Sequence, residues 1–353
     1  MSSALAVYLG RRAADNIANH GWSPDLFSVL LGASGGPKWF VLSQLDRVLF
    51  GQFLMARRQP LTALGSSIGS WRHACLAQED PASAIARLEQ GYLHQRYDRK
   101  PTPEEVTAVS SALLDRVLGA EGADSIVQHT HLSSHIITAR GLGLAGRPGG
   151  ALLGFGLAGA ALDNAVDRAL LQRHFQRVVF HSGSIPRSDL ALQGFNTAYI
   201  SLDRNNVKAA LMASGAIPFV LKGERDITGA PQGQYWDGGI IDYHFDLQGQ
   251  QPNGLILYPH FSARVITGWF DKFLPWRRPG LKGLERLALL CPSEAFVAQL
   301  PFGKIPDRSD FTRLGHDERV NYWQICVDRS RILAEEFQAM VAGNDPLAGA
   351  VIL

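Results

Sequence analysis

Two short apolar runs of the chain each lead into a glycine-rich turn and then into a helical pattern. The first run covers residues 26–31 and precedes the loop 32–38, and the second covers residues 61–64 and precedes the turn 65–69. A strand, a turn and a helix in that order, repeated along the chain, are typical of a parallel sheet with helices on its faces. The sequence therefore predicts an α/β fold, a three-layer α/β/α sandwich around a mainly parallel sheet.

The rest of the chain extends this pattern without a break. Residues 1–353 are expected to form a single domain, because no linker rich in Pro, Ser or charge divides them. The core is predicted over about residues 26–260, followed by a helical C-terminal extension over about residues 261–353. Further strands are expected at 134–139, 177–180, 197–202, 234–236 and 255–258, the last of them. Helices are expected at 3–20, over most of 80–130, at 163–175, after 205 and at 317–341.

Composition narrows the class of protein. The 353 residues have a formal net charge of +2 and no long basic run, so no nucleic-acid partner is expected. The three cysteines form no CxxC pair, which indicates a reducing compartment. The N-terminus lacks the pattern of a signal peptide, and the longest apolar stretch, residues 151–162, is shorter than the about 20 residues that cross a bilayer. We therefore expect a cytoplasmic protein, and no feature indicates its oligomeric state.

The turn Gly65-Ser66-Ser67-Ile68-Gly69 matches the pattern G-x-S-x-G. In this pattern a serine lies on a sharp turn between a strand and a helix, and the glycines remove side chains that would collide there. The helix N-terminus also favours negative charge that develops at the serine. The match alone is weak, and a Gly/Ser turn without chemistry also fits it. The apolar run before it and the helical pattern after it favour Ser67 as a nucleophile.

The loop Ser34-Gly35-Gly36-Pro37-Lys38 also lies between a predicted strand and a predicted helix. It does not match a phosphate-binding P-loop, because Pro37 separates Gly36 from Lys38 and no hydroxyl residue follows the lysine. Glycine N–H groups in such a loop also suit an oxyanion hole, which stabilises the charge that develops during acyl transfer. Gly35 and Gly36 have an N–H group to donate, whereas Pro37 has none. A simple tight turn remains the alternative.

A third motif, Asp237-Gly238-Gly239, follows a short aromatic run. An Asx-turn is the plain explanation for Asp before Gly. The alternative is a carboxylate at the end of a strand, facing a cleft.

Taken together, these motifs resemble the patatin-like phospholipase family. That family has a glycine-rich oxyanion loop, then G-x-S-x-G, then an A-S-x-A-x-P segment, then D-G-[GA]. The present chain has the four pieces in that order, the third being the segment 213–218, and the resemblance covers about residues 26–260. Two departures lie in the first loop, where Ser34 replaces a glycine and Trp39 replaces a small residue.

The resemblance implies a serine acyl hydrolase acting on lipid or acyl-ester substrates, with no metal or organic cofactor. Ser67 would be the nucleophile, Asp237 the general base, and Lys38 would support the oxyanion. An ordinary aspartate, with a pKa of about 3.9, is a poor base for a serine hydroxyl. Burial would raise that pKa, and the neighbouring Tyr235 and Trp236 are candidates for the apolar wall.

Two alternatives remain. A Ser–Asp–His triad of the α/β-hydrolase type would use His244 or His260, both downstream of Asp237. A non-catalytic dinucleotide- or lipid-binding protein is the other, since residues 141–146 and 154–159 both match G-x-G-x-x-G. Each of these matches lacks part of the expected strand, helix and acidic residue. The segment 141–161 is therefore interpreted as a flexible glycine-alanine hairpin, and we hypothesise that it is a mobile flap over the acyl site.

An aromatic and basic cluster lies in the C-terminal extension. Its members are Trp269, Phe270, Phe273, Trp276, Arg277 and Arg278. Aromatic rings beside cations suit peripheral contact with a membrane surface, and ordinary helix packing with a solvated turn explains them as well.

Overall fold

The computed structural model describes residues 3–97, 99–183, 192, 194–248 and 252–353. At the centre of this part of the protein lies a sheet. Its strands are β1 (Leu5–Leu9), β2 (Phe27–Gly32), β3 (Leu61–Ser66), β4 (Leu132–Gly141), β5 (Phe175–His181), β6 (Thr197–Ser201), β7 (Glu224–Arg225), β8 (Gln234–Asp237), β9 (Leu255–Pro259), β10 (Leu287–Pro292) and β11 (Ala350–Ile352).

The strand order places β2 and β3 in the middle of the sheet. Neighbouring strands follow the order β11-β1-β10-β9-β2-β3-β4-β5-β6, and β8 pairs with both β4 and β7. The central pairings β9–β2, β2–β3 and β3–β4 are all parallel. Both middle strands are buried over almost their whole length, as expected when helices cover both faces of a parallel sheet. The predicted α/β fold with a mainly parallel sheet is confirmed.

Helices flank this sheet, and α3 and α8 pack directly on its centre. None of the described helices is long and apolar enough to cross a membrane. The helices are α1 (Arg11–His20), α2 (Ser43–Val48), α3 (Ile68–Leu76), α4 (Pro81–Leu93), α5 (Pro103–Leu118), α6 (Gly122–Gln128), α7 (Gly150–Val166), α8 (Val207–Ser214), α9 (Glu294–Ala298), α10 (Asp310–Arg313), α11 (His316–Arg329) and α12 (Arg331–Ala342).

The N-terminal prediction of one helix over residues 3–20 is wrong in its first half. Residues 5–9 form β1, and only the part from Arg11 onward is helical. The apolar residues Leu5, Leu9 and Ala13 are spaced by four. That spacing fits a helix, but it is also a multiple of the two-residue period of a strand. The buried–half-buried alternation along β1 is the strand pattern.

The segment after residue 260 is helical over much of its length, and it also contributes two strands. β10 lies between β1 and β9, so residues 255–258 are not the last strand. Residues 287–292 are a short apolar run, which periodicity alone does not distinguish from a buried helical turn. The long helix predicted at 317–341 is divided at Ser330, whose Oγ donates to the carbonyl of Val327 at 2.7 Å.

The glycine-alanine segment forms a helix rather than a flexible hairpin. The second G-x-G-x-x-G match lies wholly inside α7, where the backbone N–H groups serve the helix itself. A Cβ on Gly156 would come within 2.5 Å of the Ala145 nitrogen, so this glycine allows α7 to pack on the turn 143–146. The helix predicted at 163–175 is likewise corrected: α7 ends at Val166, and a 3₁₀ turn leads to β5.

Candidate active site

The turn between β3 and α3 carries Ser67 in an uncommon backbone conformation. Its φ is 55° and its ψ is −129°, values that a residue with a side chain rarely adopts. The turn is tight because α3 lies directly against β2: a Cβ on Gly69 would come within 1.9 Å of the Gly32 carbonyl oxygen. Ser67 is the N-cap residue of α3, so its side chain lies at the positive end of the helix.

A buried ion pair also holds α3 in place, through its contact with α2. The guanidinium of Arg72 donates to both carboxylate oxygens of Asp46 on α2, at 2.7 and 2.6 Å. Both side chains are almost completely buried, so the pair is shielded from solvent and fixes the position of α3 relative to α2.

Ser214, at the end of α8, holds the backbone of Ser67. The Ser214 Oγ donates to the Ile137 carbonyl at 2.7 Å and accepts from the Ser67 N–H at 2.9 Å. Because the Ser214 hydroxyl proton is donated to the Ile137 carbonyl, the Ser214 Oγ accepts from the Ser70 Oγ, 3.0 Å away. Ser214 lies in the A-S-x-A-x-P segment, and that pattern is the only signal in the sequence for this role.

Asp237, the last residue of β8, faces the Ser67 side chain. The Ser67 Oγ donates to Oδ2 of Asp237 at 2.8 Å. The other carboxylate oxygen accepts from the Gly239 N–H at 2.7 Å, and the Asp237 N–H donates to the Ala216 carbonyl at 2.8 Å. Asp237 therefore forms the Asx-turn through Oδ1 and the hydrogen bond with Ser67 through Oδ2.

The loop after β2 brings Gly35 and Gly36 to the same cavity as Ser67. Within the described residues, neither glycine N–H has a hydrogen-bond acceptor. Ser34 fixes the loop: its N–H donates to the Tyr243 carbonyl at 2.9 Å, and its Oγ donates to the Ser66 Oγ at 3.0 Å. Two free N–H groups beside a serine hydroxyl are the arrangement that stabilises an oxyanion.

Comparison with protein-family models gives a match to the patatin-like phospholipase over residues 56–244, more than half of the chain. The chain belongs to the patatin-like phospholipase family. The matched residues include Ser67 and Asp237 but not the loop at residues 34–38. At the level of the family, membership supports an ester-cleaving acyl hydrolase with lipid ester substrates. No curated protein and no solved structure matches the chain.

In this patatin-like site, the environment of Asp237 favours its protonated form. Burial raises the pKa of Asp237 above its ordinary value, while the hydrogen bonds from Ser67 and Gly239 act in the opposite direction. The residues expected to supply the apolar wall, Tyr235 and Trp236, are fully buried. The apolar lining of the cavity consists instead of Ile217, Pro218, Ile240, Tyr243 and Trp269.

Lys38 lines the cavity on the side of the glycine loop. Its Nζ lies 5.2 Å from the centre of the Phe261 ring, a cation–π contact. Burial lowers the pKa of Lys38; the nearby Asp307 acts in the opposite direction, and the cations Arg308 and Lys304 lower the pKa further.

Neither histidine of the alternative triad has the geometry of a general base. The ring of His244 stacks on that of Tyr243, and its Nδ1 accepts from the Ile266 N–H at 3.0 Å. His260 Nδ1 is bonded to Ser262. Neither ring lines the cavity. Burial lowers the pKa of His260 to about 3, and it lowers the pKa of His244 well below the ordinary value. Both rings are thus neutral, weak bases.

Two cavities meet at Ser67. The smaller one, with a volume of about 220 Å³, contains the Ser67–Asp237 pair, the glycine loop and Lys38. The larger one has a volume of about 710 Å³ and also reaches Ser67. Its lining is mostly apolar and also includes the cations Arg99, Lys100, Arg308 and Arg319. The aromatic and aliphatic lining residues are Ile68, Trp71, Tyr92, Val106, Phe219, Val220, Leu221, Phe311 and Leu314.

The smaller cavity includes residues that sequence analysis did not connect with the site. Lys272 and the run Asp307-Arg308-Ser309 come from the segment after residue 260, beyond the family match. The aromatic and basic cluster around Lys272 was the one signal in this region. Its members divide in the structure: Trp269 lines the cavity, whereas Phe273 and Trp276 are exposed.

Proposed function

We propose that the protein is a lipid acyl hydrolase that cleaves carboxylic esters through an acyl-Ser67 intermediate, with Asp237 as the general base. One observation carries the proposal: the 2.8 Å hydrogen bond from the Ser67 Oγ to the Asp237 carboxylate, at a cavity wall. Family membership supports the reaction class, and the buried, neutral state of His244 and His260 supports a dyad rather than a triad.

Acylation begins with proton transfer along that hydrogen bond. Asp237 takes the hydroxyl proton as the Ser67 Oγ attacks the ester carbonyl carbon. The carbonyl oxygen becomes an oxyanion, which the N–H groups of Gly35 and Gly36 stabilise, with the charge of Lys38 nearby. When the tetrahedral intermediate collapses, the bond to the alcohol oxygen breaks and Asp237 returns the proton to the leaving alcohol.

Deacylation repeats these steps with water. Asp237 removes a proton from the water molecule, whose oxygen attacks the acyl-Ser67 carbonyl. The carboxylic acid leaves, and Ser67 regains its proton from Asp237. The raised pKa of Asp237 supports this role, because a carboxylate with a higher pKa accepts a proton more readily.

The larger cavity is the proposed site of the acyl chain. Ser67 is part of its lining, and the mostly apolar and aromatic lining suits a hydrocarbon chain removed from water.

The proposal also includes contact with a lipid surface, the aggregated form of the substrate. The exposed residues of α7 are all apolar, and among them Phe155 is 67% and Leu162 is 70% exposed. The turn 269–277 packs at the end of α7, where Arg277 donates to the Ala165 carbonyl at 3.4 Å, and adds the exposed Trp276. Because Arg277 lies at one end of this face and the same turn supplies Trp269 to the smaller cavity, an anionic bilayer is the occupant it suits.

Covalent labelling with a fluorophosphonate probe tests the nucleophile. The wild type is expected to react, and Ser67→Ala is expected to lose the label, since the probe modifies an activated serine. Ser309→Ala is the matched control, because Ser309 lines the same cavity and is expected to keep the label. His244→Asn and His260→Asn distinguish dyad from triad: the dyad predicts retained labelling. A folded wild type that does not react would overturn the mechanism.

A further inference from the structure

Three cationic side chains line the smaller cavity beside the Ser67–Asp237 pair. Lys38 comes from the glycine loop, whereas Lys272 and Arg308 come from the segment after residue 260, outside the family match. Arg308 also lines the larger cavity and therefore lies where the two cavities meet.

None of these three cations forms an ion pair in the part of the chain that the structure describes. Two carboxylates line the same cavity: Asp307 pairs with Lys304, 4.0 Å from its Nζ, and Asp237 accepts from the candidate nucleophile. Lys272 lies with its Nζ only 3.7 Å from the centre of the Tyr243 ring. Buried or half-buried cations are ordinarily paired, so three unpaired cations at one cavity are unusual.

The positive charges of Lys38, Lys272 and Arg308 repel one another. Burial lowers the pKa of Lys272 to about 7, and the neighbouring Lys38 and Arg308 lower it as well, while Asp237 and Asp307 act in the opposite direction. An anion bound between them would relieve this repulsion and would receive charge-assisted hydrogen bonds from ammonium and guanidinium groups. Arg308 has the planar fork that matches the oxygens of a phosphate or carboxylate.

We propose that Lys272 and Arg308 form an anion subsite that binds a negatively charged group on the alcohol portion of the substrate. The subsite would make the protein prefer acyl esters with an anionic headgroup over neutral or zwitterionic ones. This inference rests on the proposed function, since it takes Ser67 as the point of ester cleavage.

The arrangement of the two cavities assigns the ends of the substrate. The acyl chain occupies the larger cavity, whose lining is mostly apolar and whose cations Arg99 and Arg319 are engaged by Glu105 and by backbone carbonyls. The alcohol portion on the other side of the ester therefore occupies the smaller cavity. Its volume of about 220 Å³ suits a small headgroup. An anionic headgroup places its charge among the three cations, whereas a quaternary ammonium headgroup would add a fourth.

Three short-chain esters with the same acyl group test the preference. Monohexanoylglycerol phosphate is anionic, monohexanoylglycerophosphocholine is zwitterionic and monohexanoylglycerol is neutral. All three are used as monomers, so attraction to a charged bilayer does not contribute. The wild type is expected to have the highest kcat/KM for the anionic ester.

Lys272→Met and Arg308→Gln are each expected to lower the ratio of kcat/KM for the anionic ester to that for the neutral ester by about tenfold, the usual effect of losing one charge-assisted hydrogen bond. The change is expected mainly in KM, because the subsite binds the headgroup. Arg313→Gln is the control: Arg313 belongs to the same segment but is exposed outside both cavities. Fluorophosphonate labelling of each variant reports that its site is folded.

Calorimetric titration of the Ser67→Ala protein separates this inference from the proposed function. Glycerol phosphate is expected to bind, and the Lys272→Met and Arg308→Gln changes are expected to weaken it. Tighter binding of inorganic phosphate than of glycerol phosphate would identify a free-anion site and overturn the headgroup assignment. Equal kcat/KM ratios in the wild type and in both variants would also overturn it. If glycerol phosphate binds but no ester is cleaved, the hydrolase proposal fails and the anion subsite stands.

Discussion

At the scale of single residues, the backbone conformation of Ser67 depends on one side chain, that of Ser214. The Ser214 Oγ accepts from the Ser67 N–H and donates to the Ile137 carbonyl, so it links the candidate nucleophile to β4. A positive φ in a residue with a side chain persists only where the surroundings enforce it. Ser214 is the buried polar group that does so here.

Ser214→Ala is therefore expected to reduce both stability and reactivity. It leaves the Ser67 N–H without its acceptor in a buried place, which destabilises the fold by about 1–3 kcal/mol. Urea unfolding and the rate of fluorophosphonate labelling measure the two effects. Ser70→Ala is the matched control. The Ser70 side chain only donates to Ser214, so its loss leaves the Ser67 N–H with its acceptor. Equal losses in the two variants would contradict this role.

Asp237 gives a pH dependence whose sign follows from burial. Because the pKa of Asp237 is raised in the folded state, the folded protein binds its proton more tightly than the unfolded chain does. The free energy of unfolding therefore falls as the pH rises from the ordinary to the raised pKa, and it stays lowered above that. Over the same window, activity is expected to increase, since the base must be ionised.

Asp237→Asn is accordingly expected to be inactive yet to melt at a higher temperature than the wild type above the raised pKa, with the difference closing as the pH falls toward the ordinary pKa of an aspartate. Thermal unfolding at several pH values measures this. Asp345→Asn, a change at an exposed carboxyl, is the control and should melt like the wild type. If Asp237→Asn melts at a lower temperature than the wild type at every pH, burial of the Asp237 charge does not destabilise the fold.

At the scale of elements, α7 combines a packed face with an exposed apolar face. Small residues such as Gly156 and Ala160 are buried against the rest of the protein, and Phe155 and Leu162 point outward. The sequence did not reveal this, because a high glycine content ordinarily argues against a helix. Close packing on the turn 143–146 overrides that propensity. β1 was missed for a different reason, since a spacing of four suits both kinds of element.

The exposed face of α7 is expected to bind vesicles that contain phosphatidylglycerol. Replacing Phe155 and Leu162 by Gln should reduce flotation with such vesicles by about tenfold or more, as expected for one to two buried apolar side chains. Ile332→Gln is the matched control, an exposed apolar residue on α12. Equal flotation of both variants would contradict lipid contact. A concentration-dependent dimer that the α7 changes abolish would show that a second copy covers the face instead.

At the scale of the whole molecule, the segment after residue 260, about a quarter of the chain, is part of both the sheet and the cavity. β10 is fully buried between β1 and β9, and Lys272 and Arg308 line the cavity. The motifs around Ser67 and Asp237 were readable because turn geometry restricts their residues locally. Lys272 and Arg308 carry no such local pattern. Their position depends on how distant segments pack, which a single sequence does not specify.

A chain that ends at residue 260 is therefore expected not to fold. It would lose β10, leaving β1 unpaired and one edge of β9 exposed. Circular dichroism and fluorophosphonate labelling measure the outcome. A chain that lacks residues 344–353 is the control, because it loses only β11 at the edge of the sheet and should remain folded and reactive. A shortened chain of residues 1–260 that unfolds cooperatively and labels would contradict this prediction.

The pairing of β1 with β10 has a consequence for synthesis. Leu5 lies opposite Pro292, so β1 is synthesised well before the strand that pairs with it. Until β10 has been made, β1 and β9 have unpaired edges. Unpaired strand edges are prone to aggregation and are bound by chaperones. The same delay applies to the anion subsite, because Arg308 leaves the ribosome after β10. A nascent chain therefore has the Ser67 turn long before Lys272 and Arg308 complete the lining of the cavity.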